Sequence, residues 1–119
     1  MPRPVLFTWN LTAERLGSLR EICAALSVSV RPVAPHEAEK PLAALGEAVP
    51  APGLTAMPFV EEMLLMAYFP DKLIDKLLAG MKAKGIVIPR KAVLTPTNAG
   101  WNSVQLFAEL SREAARFKP

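Results

Sequence analysis

Met63-Leu-Leu-Met-Ala-Tyr-Phe-Pro70 is the longest uninterrupted apolar run in this chain, and it does not alternate. Alternation marks a strand with one wet face. A continuous run of this length, flanked by Glu61-Glu62 and Pro70-Asp71, reads as a strand over residues 62–69 buried on both faces. Such a strand belongs inside a sheet with helices packed on it, which narrows the fold class before any other residue is read. The run is also far short of the ~20 apolar residues a membrane span needs.

Three further strands follow from composition. Residues 4–9, Pro4-Val-Leu-Phe-Thr-Trp9, are apolar and rich in β-formers, and Asn10 closes them. Residues 28–33 alternate polar and apolar, the pattern of a half-buried strand, and Pro32 suits a strand end or a sheet edge. Residues 90–95 form the fourth. Between the first two strands, Thr12 is placed to cap a helix whose stripe is Leu16, Leu19, Ile22, Cys23 and Leu26, although Arg15 replaces the Glu or Gln of a capping box. Pro70 and Asp71 open a second helix, with Leu73, Ile74, Leu77, Leu78 and Met81 facing inward and Gly85 ending it. The last helix runs from about Ser103 to Phe117, with Val104, Phe107, Leu110 and Ala114 inward. Strand–helix–strand from Val5 to Val33 is echoed from Met63 to Thr95 in order and length, without sequence identity. The fold class expected is α/β (α+β): a four-stranded sheet with helices packed on it. Its connectivity is either a ferredoxin-like pair of split βαβ units or a small doubly wound sandwich.

The 119 residues suit one domain, 1–119, with a Pro-rich irregular connection at 35–58 in which Pro41 to Ala48 has the makings of a two-turn helix. With 51% hydrophobic and 21% charged residues the composition is that of an ordinary soluble protein. Met1-Pro-Arg-Pro4 lacks a continuous apolar segment, so no secretory signal is read there. Cys23, the sole cysteine, falls on the helix stripe and reads as a buried thiol, and a reducing cytoplasm is the natural setting. One Cys and one His cannot build a Cys/His metal cluster, so no metal and no cofactor are expected. His36 stands in the Pro-rich connection beside Glu37 and Glu39 and reads as surface decoration. The net charge is +3, and the densest basic cluster, Lys82, Lys84, Arg90 and Lys91, reads as a solvated helix end. No basic stripe with interleaved aromatics is present, which argues against nucleic acid as a partner. Glu61 and Glu62, adjacent at a strand start, point to opposite faces and so do not make an acid/base pair.

The stretch Lys91-Ala-Val-Leu-Thr-Pro-Thr-Asn-Ala-Gly-Trp-Asn102 concentrates hydroxyls and amides where a strand turns into a helix. It has two readings. In the first, Asn102 and Gln105 form a capping box, Trp101 and Leu106 a hydrophobic staple, and Thr95, Thr97 and Asn98 hold the loop backbone. On that reading Asn102→Ala costs about 1 kcal/mol, and Trp101→Ala about 3 kcal/mol or more, with Thr95→Ala and Asn98→Ala well below it. In the second, the loop is a binding site. Loops after strand C-termini are where α/β sheets place ligands, and a helix N-terminus favours an anion. Thr95, Thr97 and Asn98 then supply hydrogen bonds, Arg90 and Lys91 positive charge, and Asn10 joins them if the first and last strands run parallel.

Glu62-Met-Leu at the head of a strand, Lys91-Ala-Val-Leu-Thr-Pro-Thr-Asn-x-x-Trp101, and the final helix with Leu106, Glu109, Leu110 and Glu113 resemble a family of small uncharacterised bacterial proteins, a domain of unknown function. Members of that family also begin with a short apolar strand ending in Asn, as Val5 to Asn10 does here. The resemblance implies the segmentation above and no activity. From the residues themselves, no nucleophile–base pair, Gly-x-Ser-x-Gly elbow or Gly-rich phosphate loop is present. The leading expectation is a non-enzymatic binding or regulatory module that works through self-association, a protein partner or a small ligand. The alternatives are an enzyme or enzyme subunit with an anion-binding loop at 95–101, and a weak nucleic-acid binder. A homo-oligomer is expected, because half the chain is apolar and Pro32 points to an open edge.

Overall fold

The computed structural model describes residues 3–45 and 55–116, with side chains through residue 113. The four expected strands are all present: β1 (Val5–Trp9), β2 (Ser29–Pro32), β3 (Met63–Ala67) and β4 (Arg90–Val93). Three helices accompany them, α1 (Ala13–Ala25), α2 (Asp71–Ala83) and α3 (Ser103–Arg116). The result is a four-stranded mixed sheet with helices packed on it, an α+β fold. Among the described residues no helix is long and apolar enough to cross a membrane.

The strand order is β2-β1-β3-β4. β1 and β2 pair in parallel, as do β3 and β4, while β1 and β3 pair antiparallel across the middle. Each βαβ unit is therefore contiguous, with its two strands side by side, and the two units meet head to tail. This decides the strand order that the sequence left open.

The units repeat more closely than their sequences suggest. The first strand and the helix of the second unit each begin 58 residues after their counterparts: β1 at Val5 and β3 at Met63, α1 at Ala13 and α2 at Asp71. The special backbone positions keep the same offset. Asn10 and Tyr68 both turn the chain out of a strand with φ near +60°, and Ser27 and Gly85 do the same after each helix. Three extra residues precede β4, after which the correspondence resumes. Val33 N donates to Thr8 O at 2.8 Å, and Leu94 N to Met66 O at 2.9 Å.

Leu6, Leu64 and Met66 face α1 and α2, where they pack with Leu19, Ile22, Cys23, Leu77 and Met81. Gly80 allows the two helices to approach, since a Cβ there would lie 2.7 Å from Ile22 Cγ2. Phe7, Trp9, Met63 and Leu65 face the other way, onto Leu42, Leu45, Phe59 and Leu106. All five β3 residues are buried, as a strand covered on both faces requires.

Three local expectations change. The third strand stops at Ala67 instead of reaching Phe69, because Tyr68 adopts a left-handed conformation, φ 63°, that no strand accommodates. At the start of α3 the inward apolar residue is Leu106, 1% exposed, whereas Val104 is 40% exposed. Phe107 and Leu110 do pack inward, and Ala114 lies outside the described side chains. The helix expected over Pro41–Ala48 is a single short turn, Leu42–Ala44, and residues 46–48 lie outside the described ones. Thr12 does cap α1, its hydroxyl accepting from Arg15 N at 3.2 Å.

Candidate functional site

The elbow after β4 is a self-contained hydrogen-bonded turn. Asn98 is only 7% exposed. Its Oδ1 accepts from Thr95 N at 2.9 Å and its Nδ2 donates to Val93 O at 3.0 Å. Asn98 N in turn donates to Thr95 Oγ1 at 3.2 Å. The capping box of α3 is reciprocal: Gln105 N donates to Asn102 Oδ1 and Asn102 N to Gln105 Oε1, both at 2.9 Å. Ala99 N and Trp101 N are also engaged within the loop, and Ser103 N reaches Ala38 O. The amides that an anion would use are thus mostly bonded already. Ser103, fully buried, accepts the indole N–H of Trp9 at 3.0 Å and ties α3 to the central strand.

The residues proposed as one site are distributed over both ends of the sheet. Thr95, Thr97 and Asn98 follow the carboxyl end of β4. Arg90 and Lys91 begin that strand, at its other end. Arg90 Nε donates to Ser111 Oγ at 3.0 Å, with its guanidinium 5.1 Å above the Phe107 ring. Lys91 Nζ donates to Ile88 O at 2.6 Å. Because β1 runs antiparallel to β3, Asn10 also lies at this far end, where its Nδ2 donates to Phe59 O and Glu61 O, both at 2.9 Å. The structure keeps the three loop residues together and separates the other three from them.

Beside the elbow is an open cleft of about 300 Å³ at the carboxyl ends of the parallel β3–β4 pair. Tyr68 and Phe69 approach it from the turn after β3, Leu94, Thr95 and Pro96 from the elbow, and Ala43 from the Pro-rich connection. The carboxyl ends of parallel strands are the side of the sheet on which α/β proteins receive ligands. Tyr68 and Thr95 supply the hydroxyls; the other lining side chains are apolar. No carboxylate, ammonium, guanidinium or imidazole lines it. Thr97 and Asn98 do not line it; Asn98 shapes it from beneath by holding the turn.

Tyr68 was not legible as a site residue within its apolar run. The signal lay in the repeat: Asn10 occupies the equivalent left-handed position, and Asn tolerates that backbone where an aromatic residue does not. Glu37 was missed for the same reason. It is the first unit's counterpart of Asn98, its Oε1 accepting from Ala34 N at 3.1 Å as Asn98 Oδ1 does from Thr95 N. Glu37 is buried, and its Oε2 meets Arg31 Nη2 at 2.8 Å and Lys40 Nζ at 3.8 Å. Burial acts to raise its pKa, but the Arg31 hydrogen bond, the Ala34 amide and the two positive charges outweigh it, and the net direction is below the ordinary 4.5.

A folded-state pKa below the unfolded value contributes stability that is present above about pH 4.5 and is lost as pH falls through the folded pKa. Urea midpoints measured across the acid range should therefore fall more steeply below that point for the wild type than for Glu37→Gln. Equal slopes would show that the buried carboxylate does not gain from its partners.

Cys23 is fully buried, and burial pushes its thiol up to about 11, so it is a packing residue and a poor nucleophile. Among the described residues no three His, Cys, Asp or Glu side chains group to hold a metal ion.

The comparisons with known proteins add one fact. Residues 62–117 match the model of Domain of unknown function (DUF3783). The matched stretch runs from the head of β3 through α2 and β4 into α3, so it takes in the second βαβ unit, the elbow and the cleft residues Tyr68, Phe69, Leu94, Thr95 and Pro96. The resemblance expected from the sequence holds over this stretch. DUF3783 brings no activity with it. No curated protein and no solved structure matches the chain.

Proposed function

We propose that the protein is a non-catalytic binding module whose cleft at Tyr68 and Thr95 receives an uncharged, largely apolar group presented by a protein partner. Tyr68 carries this reading. The residue is 45% exposed and lines the cleft, on a backbone with φ 63°. A left-handed conformation costs an L-residue roughly 1–2 kcal/mol, and the first unit meets the same turn with Asn10. Retaining an aromatic there means the exposed ring is worth more than the local strain, and strained residues of this kind gather at binding sites. The lining has hydroxyls to orient a guest and no titratable acid or base except a phenol, which supports binding over general acid–base catalysis.

The anion-loop reading has less support, since the elbow amides are mostly engaged and Arg90 and Lys91 stand at the other end of β4. A cytoplasmic setting is supported by the single buried thiol.

Replacing Tyr68 with glycine tests the proposal. Thermal stability should rise by about 1 kcal/mol or hold level, because glycine removes the left-handed cost. Indole, used as a probe in an amide-resolved NMR titration, should shift Tyr68, Thr95 and Ala99 in the wild type and leave them still in Tyr68→Gly. Indole shifts elsewhere only, or shifts from inorganic phosphate at these amides instead, would overturn the reading.

A further inference from the structure

The internal repeat provides its own control for surface residues. Where one unit solves a position with a polar side chain, an exposed apolar side chain at the same position in the other is not demanded by the fold. One such difference, and one apolar residue that the first unit lacks altogether, lie on the flank where α2 meets the chain leading into β4. Leu78 stands where the first unit has Arg20, 58 residues earlier, and Val87 belongs to the three residues, 87–89, that the second unit adds before β4. Leu78 is 37% and Val87 73% exposed. Together with Met81 and Ile86 beneath them they line a groove of about 280 Å³. Its charged lining residues are Lys82 and Lys91, with no carboxylate among them.

A complementary feature is carried by the same end of the sheet. Val60 is 84% exposed, more than any other large apolar side chain among the described residues. Glu61 follows it, exposed, its carboxylate accepting from the Val60 amide at 3.1 Å. The nearness of the two features is set by Arg15, whose Nε reaches Glu62 Oε2 and whose Nη2 donates to Val87 O at 3.0 Å. One face thus offers an apolar knob beside an acid and an apolar groove beside two lysines.

We infer that this face is a two-fold interface between copies of the chain. Val60 of each copy seats on Leu78 and Val87 of the other, and Glu61 meets Lys82 and Lys91. A two-fold contact requires a self-complementary patch in which residue i meets j and j meets i, and it closes at the dimer. The groove set against its own image would oppose lysines to lysines, whereas the knob-to-groove arrangement pairs opposite charges. The interface lies at the opposite end of β3 from the Tyr68 cleft and stands independently of it.

Sedimentation velocity on the intact chain at micromolar concentration tests the inference. The wild type should run at twice 12.9 kDa and dissociate as salt rises. Lys82→Glu and Glu61→Lys should each weaken the dimer about tenfold or more, and the two together should restore it. Val87→Ser, at a side chain 73% exposed, should give a monomer with unchanged circular dichroism and melting temperature, which separates loss of the interface from loss of the fold. A wild-type mass of 12.9 kDa throughout overturns the inference. A dimer indifferent to Val87→Ser and to both charge reversals also overturns it.

Discussion

Trp9→Ala is expected to cost about 4 kcal/mol, the largest single loss among the substitutions considered. Trp9 is fully buried in a central strand, paired with Met63 across the antiparallel seam. Its ring belongs to the cluster that joins the sheet to Phe59, Leu42 and α3, and its indole N–H is what Ser103 accepts at 3.0 Å. Truncation therefore removes a large packed volume and leaves a buried hydroxyl with one bond fewer. For a domain of this size, stable by roughly 6–18 kcal/mol at the usual per-residue range, that is a substantial share. The melting temperature should fall by about 10–15 °C. Trp9→Phe separates the two contributions: it keeps most of the packing and should cost about 1–2 kcal/mol, mainly through the lost hydrogen bond. Equal losses for the alanine and phenylalanine variants in urea denaturation would show that the hydrogen bond, and not the packed ring, dominates.

Asn98→Ala comes next, at about 2–4 kcal/mol. The side chain makes two bonds that no other group replaces, accepting from Thr95 N and donating to Val93 O, and it does so with 7% of its surface exposed. Removing it strands a backbone donor and a backbone acceptor at the root of the elbow. The ordering expected from sequence, with Asn98→Ala well below Trp101→Ala, is thereby altered: Trp101 is only half-buried, and the two losses should be comparable. Thr95→Ala should stay within about 1 kcal/mol, because Thr95 is exposed and gives up a single bond to Asn98 N. Denaturant midpoints for the three variants test this directly. A negligible loss at Asn98 would mean that water replaces both bonds and that the turn does not depend on the amide. Because the elbow forms one wall of the cleft, Asn98→Ala should also blunt the indole response described above, even where the fold survives.

Legibility from sequence differed sharply between the elements and the site. The caps were readable because they are local. Thr12 and the Asn102–Gln105 pair act on residues three positions away, and residue type plus spacing determines them. Val104 was misassigned as inward because it and Leu106 are both apolar in one stretch of α3, and only the direction from which the sheet approaches decides which is covered. Arg90, Lys91 and Asn10 are near Thr95 in a reading of strand ends, yet they sit at the opposite end of the sheet. The antiparallel β1–β3 seam turns β1 around, and β4 carries its first residues away from its last. Nothing in the sequence singles out Glu37, and only the fold brings Arg31 and Lys40 to it.

The sequence by itself determined the elements and the class of the fold. Hydrophobic periodicity, capping residues and proline placement are short-range properties, and β3 announces its two-sided burial through a run that never alternates. Tertiary structure alone decided the strand order, the meeting of two unsplit βαβ units, and the companions of each polar side chain. Those depend on contacts between residues tens of positions apart, such as Trp9 with Ser103 and Arg15 with Glu62 and Val87. The repeat shows both sides of this division. Asn10 and Tyr68 share no chemistry that a sequence comparison would match, yet the same turn of the backbone places them at equivalent positions, and there the difference between them becomes informative.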